Sequence, residues 1–220
     1  MPDREWSVPE LERHPLRVSD YVVANAQRGS AESVLATMDR YALEVRFLMN
    51  LGPEKGPLVQ EVFADLPSQA RVLELGAFCG YSAILFANVL GPDGRVVSLE
   101  RDEESVEAAR ANVEYAGFAD RVEFRHGAAS DTIPTLVGPF DLVFLDHWKD
   151  AYKEDLISIE TAGLLRPGSL VVADNVGPLF DPAEYLEYVR TCGHYDCEHR
   201  ESTLEYSDQP DAVEISVYRP

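Results

Sequence analysis

The sequence predicts an α/β protein built on a doubly wound, mostly parallel sheet, with helices on both faces and a C-terminal antiparallel hairpin. Three observations predict it. Five short apolar runs, each ending in glycine or an acidic residue, alternate with segments of helical periodicity, the pattern of strands joined by crossover helices. The runs are apolar nearly throughout, as strands covered on both faces are. Two further runs, about 195–206 and 212–218, are separated by SDQPD, a hairpin signal.

The elements follow in order. Residues 1–15 lack periodicity and read as a loose arm, leaving 16–220 as a single domain. From Leu16 to Gly52 apolar residues recur at helical spacing, and Ser30 is the expected N-cap of a helix running through Val34, Leu35, Met38, Leu43 and Phe47. A short helix is expected after Pro57, carrying Leu58, Val59, Val62 and Phe63. RVLELG (71–76) is the first strand, SAILFANVL (82–90) a buried helix, and RVVSLE (95–100) the second strand. Asp102 caps a helix through Val106, Ala109 and Val113 that Gly117 stops. RVEFRHG (121–127), FDLVFLD (140–146) and SLVVAD (169–174) are the third, fourth and fifth strands. A helix reaching about Ala162 precedes the fifth strand and another, over 182–192, follows it. With the hairpin the sheet has seven strands in a Rossmann-like arrangement.

Composition narrows the function. A chain of 220 residues suits one full-size core. Its net charge of −20 excludes a nucleic-acid partner, which needs a basic surface to displace counterions. No apolar run approaches the roughly 18 residues of a membrane span, and the polar start MPDREWSVPE is not a secretory signal. No membrane partner and a cytoplasmic location are therefore expected. Three cysteines give no disulfide framework. Cys192, His194, Cys197 and His199 lack the spacing of paired zinc ligands.

In a doubly wound sheet ligands bind beyond the carboxyl ends of the strands, so the strand-ending residues carry the function. The first strand ends Glu74-Leu75-Gly76-Ala77-Phe78-Cys79-Gly80. This is not the dinucleotide fingerprint, because Phe78 stands where the second glycine belongs. It is either a plain strand–helix turn or a close approach of backbone to a ligand. Glu100, followed by Arg101, ends the second strand, where a carboxylate can accept from both ribose hydroxyls of a nucleoside. A solvated acid before a capped helix is the alternative. Asp146 ends the fourth strand, and Asp174 and Asn175 the fifth. Three hard oxygen ligands without cysteine suit Mg²⁺ rather than zinc; helix-capping aspartates and a turn asparagine are the alternative.

An acidic residue followed by G-x-x-x-G resembles the first motif of S-adenosylmethionine (SAM)-dependent methyltransferases. The segments LELGAFCGYSA, FLDHWKDAY, GLLRPGSLVVADNV and STLEY resemble the catechol O-methyltransferase family over roughly Leu16 to Arg219. The resemblance implies transfer of a methyl group from SAM to one hydroxyl of a small catechol bound at Mg²⁺. Asp146, Asp174 and Asn175 would bind the metal, Lys149 would be the general base, and Glu205 would hold the second hydroxyl. Glu74, Gly76, Tyr81, Ser82, Glu100 and Arg101 would line the SAM site, with Met49 and Leu51 over the methionine part. Ala129, Ser130 and Asp146 would lie beside the cofactor, and His147 and Trp148 near the adenine and the pocket rim. Phe47, Asp146, Trp148, Lys149, Asn175 and Glu205 would surround the catechol.

Three departures bear on substrate range and SAM affinity. Phe47 stands where the family usually has a tryptophan wall. Phe78 and Ala129 replace a tyrosine and a serine. GPLFDP (177–182) differs from the family's segment, with Pro178 nearest to its usual wall proline. Methylation of another small phenolic metabolite, and a non-catalytic SAM-binding protein, are the alternatives. An NAD-dependent oxidoreductase is disfavoured by the missing glycine fingerprint. A monomer or weak homodimer is expected.

Overall fold

The computed structural model describes residues 14–220. Most of the expected arm, residues 1–13, lies outside the described residues. Its last member does not: Pro15 opens helix α1 (Pro15–Asn25), where its missing N–H costs nothing.

Seven strands form one sheet: β1 (Arg71–Leu75), β2 (Arg95–Glu100), β3 (Val122–His126), β4 (Leu142–Leu145), β5 (Leu170–Ala173), β6 (Tyr195–Thr203) and β7 (Pro210–Tyr218), in the order β3-β2-β1-β4-β5-β7-β6. The first five pair in parallel. β7 runs antiparallel to both β5 and β6. The order reverses between β1 and β4, so a crevice opens beyond their carboxyl ends.

Side chains alternate across the sheet and fill two cores. Val72, Val96, Leu142, Phe144 and Val172 face one side, against α1, α2 (Ala31–Glu44), α3 (Gly52–Val62), α4 (Tyr81–Val89) and α5 (Glu103–Ala116). Leu73, Leu75, Leu99, Val143, Leu145 and Val171 face the other, against α7 (Tyr152–Thr161) and α8 (Ala183–Thr191). A short α6 (Ala129–Thr132) follows β3. Among the described residues no helix is long and apolar enough to cross a membrane.

The caps read from sequence form. Ser30 and Asp102 accept from the backbone N–H of Ser33 and Ser105, and Gly117 closes α5 in the left-handed region. Two expected helices differ. The buried face of α2 is Val34, Thr37, Met38, Tyr41 and Ala42; Leu43 falls off it and is exposed, so the helix ends at Glu44 and Phe47 lies in the following loop. The expected helix after Pro57 begins five residues earlier. Pro53 sits in its first turn, where proline suits a helix start, and Pro57 is held inside it.

Candidate active site

One cavity of about 1200 Å³ opens at the carboxyl ends of β1, β2 and β4. Single-ligand pockets are on the order of 300–1,000 Å³, so this one has room for more than a single small molecule. Its wall includes Phe47, Met49 and Leu51 from the α2–α3 loop, and Gly76, Phe78, Tyr81 and Ser82 from the β1–α4 turn. Glu100 and Arg101 after β2, Ala129 and Ser130 on α6, and Asp146 through Lys149 after β4 complete most of it. Sequence reading brought all of these to the site. It did not name Asn50 or Asp155, which also line it; of the GPLFDP segment, Leu179 and Phe180 line it and the expected Pro178 does not.

The β1–α4 turn can be explained atom by atom. Gly76 has φ +101°, and a Cβ there would stand 2.6 Å from the Asp146 carbonyl oxygen. The turn therefore packs directly on the end of β4, and only glycine permits it. Phe78 also has positive φ, 44°, a conformation that is costly for a bulky residue. Glu100 holds it: Oε2 accepts from the N–H groups of Ala77 and Phe78 at 3.2 and 3.0 Å. Its Oε1 accepts from Asp102 N–H at 3.0 Å. Three backbone donors thus orient a buried carboxylate at the cavity wall, with lone pairs left for further hydroxyl donors.

Glu74 is placed differently from its neighbours. It is fully buried and is not part of the cavity wall. Its two oxygens accept from the Ser82 and Ser98 hydroxyls. Burial pushes its carboxyl up to about 7, against the pull of those two hydrogen bonds. Glu74 therefore fixes Ser82 from below rather than facing the cavity. Tyr81, at the start of α4, shares Asp39 of α2 with Tyr206.

At the end of β4, Lys149 Nζ donates to Asp146 Oδ1 at 3.0 Å and lies 5.5 and 5.6 Å from the ring centres of Tyr152 and Phe180. His147 Nε2 is 2.8 Å from Asp155 Oδ2, while its buried Nδ1 has no hydrogen-bond partner. Trp148 is 68% exposed, so it forms rim rather than wall.

Asp174, Asn175 and Glu205, expected at the site, are not part of the cavity wall; each is 1% exposed. Asn175 adopts φ 53°, a left-handed turn that asparagine tolerates. Lys55 of α3, itself fully buried, reaches Asp174 at 2.7 and 2.9 Å, Asp211 at 2.9 Å and Glu205 Oε2 at 3.1 Å. Glu205 Oε2 has no aligned hydrogen bond, from Lys55 or from any other described group. Burial raises the carboxyls of Asp174 and Glu205, with Lys55 opposing it in both. Burial alone would lower the Lys55 ammonium, but the three carboxylates override it and raise it. Gly52 lets α3 approach: a Cβ there would stand 2.7 Å from Glu205 Cβ.

Sequence reading missed Lys55 and Asp211. Lys55 stands between two glycines and two prolines (GPEKGP), and Asp211 at the end of a turn (SDQPD); both segments read as punctuation. The available signal was a lone lysine inside an otherwise apolar helix face.

The residues fit a divalent cation in kind. Asp146, Asp174 and Asn175 offer hard oxygens at the ends of adjacent strands. Asn175 Nδ2 is committed to Asp211 Oδ2 at 2.8 Å, which leaves the amide oxygen as the end for another partner. Among the described residues no three His, Cys, Asp or Glu side chains form a metal cluster; the set here is two carboxylates and one amide.

A glycine turn held by a buried carboxylate, beside a paired lysine and acidic strand ends, has the make-up of an α/β enzyme site. Residues 29–180 match the O-methyltransferase family, and the chain belongs to it. It is 40% identical over 209 residues to the catechol O-methyltransferase of Bos taurus, covering 92% of this chain and 76% of that protein. It is 42% identical over 176 residues to that of Sus scrofa, covering 78% and 94%. Among solved structures, the SAM complex of the O-methyltransferase TomG from Streptomyces achromogenes, involved in tomaymycin synthesis, superposes with a TM-score of 0.73. It is 27% identical, covering 96% of this chain and 99% of that one.

Proposed function

We propose that this chain methylates one hydroxyl of a catechol, with SAM as methyl donor and Mg²⁺ at Asp146, Asp174 and Asn175. The observation that carries this reading is the Lys149–Asp146 pair at the cavity wall, at the end of the strand next to the one that ends in buried Asp174 and Asn175. The names of the 40%-identical relatives support the acceptor class. Glu100 accepts from the ribose hydroxyls of SAM, and Met49 and Leu51 cover the methionine part. Magnesium, when bound, would favour the ionised form of the acceptor hydroxyl, whose ordinary pKa is about 10. Lys149 Nζ takes the proton of the reacting hydroxyl. Glu205 Oε2, buried without an aligned donor, accepts from the neighbouring hydroxyl and so orients the ring. The O–CH₃ bond forms as the S–CH₃ bond breaks, leaving S-adenosylhomocysteine. Beyond proton transfer the chain's contribution is orientation, which holds donor and acceptor in line.

The test is incubation with SAM, Mg²⁺ and a panel of catechols and simple phenols, with products read by mass. Catechols should gain one methyl group. EDTA should abolish turnover and Mg²⁺ restore it. Full activity after thorough chelation would remove the metal from the reading, and methylation of simple phenols alone would remove the catechol.

A further inference from the structure

Lys55 lines no part of the cavity, yet it faces three buried carboxylates. It sits on α3 with no exposed surface, in ion pairs with Asp174, Asp211 and Glu205. Desolvating an ammonium costs several kcal/mol, and well-packed apolar residues of similar volume often replace buried ion pairs without loss of stability. Stability alone therefore does not account for the charge; its contacts indicate what it does. Asp211 Oδ2 accepts from both Lys55 and Asn175 Nδ2, and its Oδ1 accepts from Gly177 N–H. The amide of Asn175 can then present only its oxygen away from Asp211. The same ammonium fixes the Asp174 carboxylate and holds Glu205 beside it.

We propose that Lys55 is the positioning residue of the acceptor half of the site: with Asp211 it sets the orientations of Asp174, Asn175 and Glu205 together. The inference rests on the magnesium reading above.

The test must keep net charge constant, because removing Lys55 alone would leave extra negative charge that attracts a cation for a different reason. The double variant Lys55→Met with Asp211→Asn does so by removing one charge of each sign; Asp174 and Glu205 keep their carboxylates without the ammonium, which is the change under test. Mn²⁺, read as free ion by electron paramagnetic resonance, is the metal probe, and SAM binding is measured by calorimetry without metal. Mn²⁺ binding should weaken about 10–100-fold, the usual loss when a group holding a metal ligand is removed. SAM binding should stay native, and the catechol KM should rise. Native Mn²⁺ affinity in the variant would overturn the role of Lys55. Parallel loss of SAM and Mn²⁺ binding would also overturn it, since Lys55 would then serve the fold. A native protein that binds no Mn²⁺ would overturn the metal assignment first and this role with it.

Discussion

Lys149 reaches Asp146 from three residues further along the chain, against the faces of Tyr152 and Phe180, so a proton acceptor there is held rather than tethered. Lys149→Ala should lower kcat by about 10²–10⁴-fold, the range of general acid–base catalysis. SAM affinity should not move. Lys149→Arg should be as slow, because a guanidinium stays protonated; near-native kcat in that variant would reduce Lys149 to charge or packing. Glu100→Ala should weaken SAM binding by about 1.5–3 kcal/mol, the usual worth of hydrogen bonds to a charged acceptor. An unchanged dissociation constant by calorimetry would place the ribose elsewhere. Glu100 and Lys149 were legible because each ends or follows a strand, and strand ends are where such sheets bind ligands. Lys55 was not legible. Its hydrogen-bond partners Asp174 and Asp211 lie 119 and 156 residues away, and no local pattern encodes a contact of that range. Glu74 was legible as a site-region residue, but not as one buried behind Ser82. That distinction depends on Ser98 of the neighbouring strand, paired in register with it.

At the scale of elements, the strands were read nearly residue by residue, because an apolar run covered on both faces has few other fates. Helix ends were less secure. Proline starts or interrupts a helix according to where its N–H would have bonded, and choosing Pro57 over Pro53 shifted α3 by a turn and a half. Leu43 and Phe47 fit a helical spacing, but the face that packs is the one through Val34, Met38 and Tyr41. The consequence reaches the site: Phe47 lies in a loop that walls the cavity, edge-on to Tyr206 with ring centres 6.2 Å apart. Tyr206 follows Glu205 in the chain, so this aromatic pair stands next to the residue assigned to the acceptor. A phenyl group covers less of the cavity than an indole. Phe47→Trp should lower kcat/KM for catechols with bulky ring substituents more than for unsubstituted catechol. If the ratio of the two stays constant, Phe47 supports the loop and does not select the acceptor.

Across the whole molecule, acidic groups outnumber basic ones by 20, and three of the acids are buried with their carboxyls raised: Glu74, Asp174 and Glu205. A raised carboxyl means that the folded protein holds a proton the unfolded chain has already released. Its contribution to stability is complete below the unfolded value and is lost as pH rises through the folded one. For Glu74 that window runs from 4.5 to about 7, a difference on the order of 3 kcal/mol at 1.36 kcal/mol per pH unit. Asp174 and Glu205 act in the same direction, and so does the self-repulsion of a strongly negative protein. The ligand-free protein should therefore lose melting temperature steadily between about pH 5 and pH 7.5. Glu74→Gln removes the proton exchange while keeping a group that the Ser82 and Ser98 hydroxyls can bond, so its melting curve should be flatter over that window. Added Mg²⁺ should flatten the native curve as well, from a different set of residues. On the proposed reading a cation binds carboxylates in their ionised form, so its stabilisation grows with pH as that of protonated Asp174 declines. Scanning calorimetry at three pH values, on the native protein and the Gln variant, with and without Mg²⁺, separates the two effects. A native melting temperature that holds constant from pH 5 to 7.5 would show that the buried acids are ionised at little cost. An equal slope in Glu74→Gln would move the dependence away from Glu74 and onto Asp174 and Glu205.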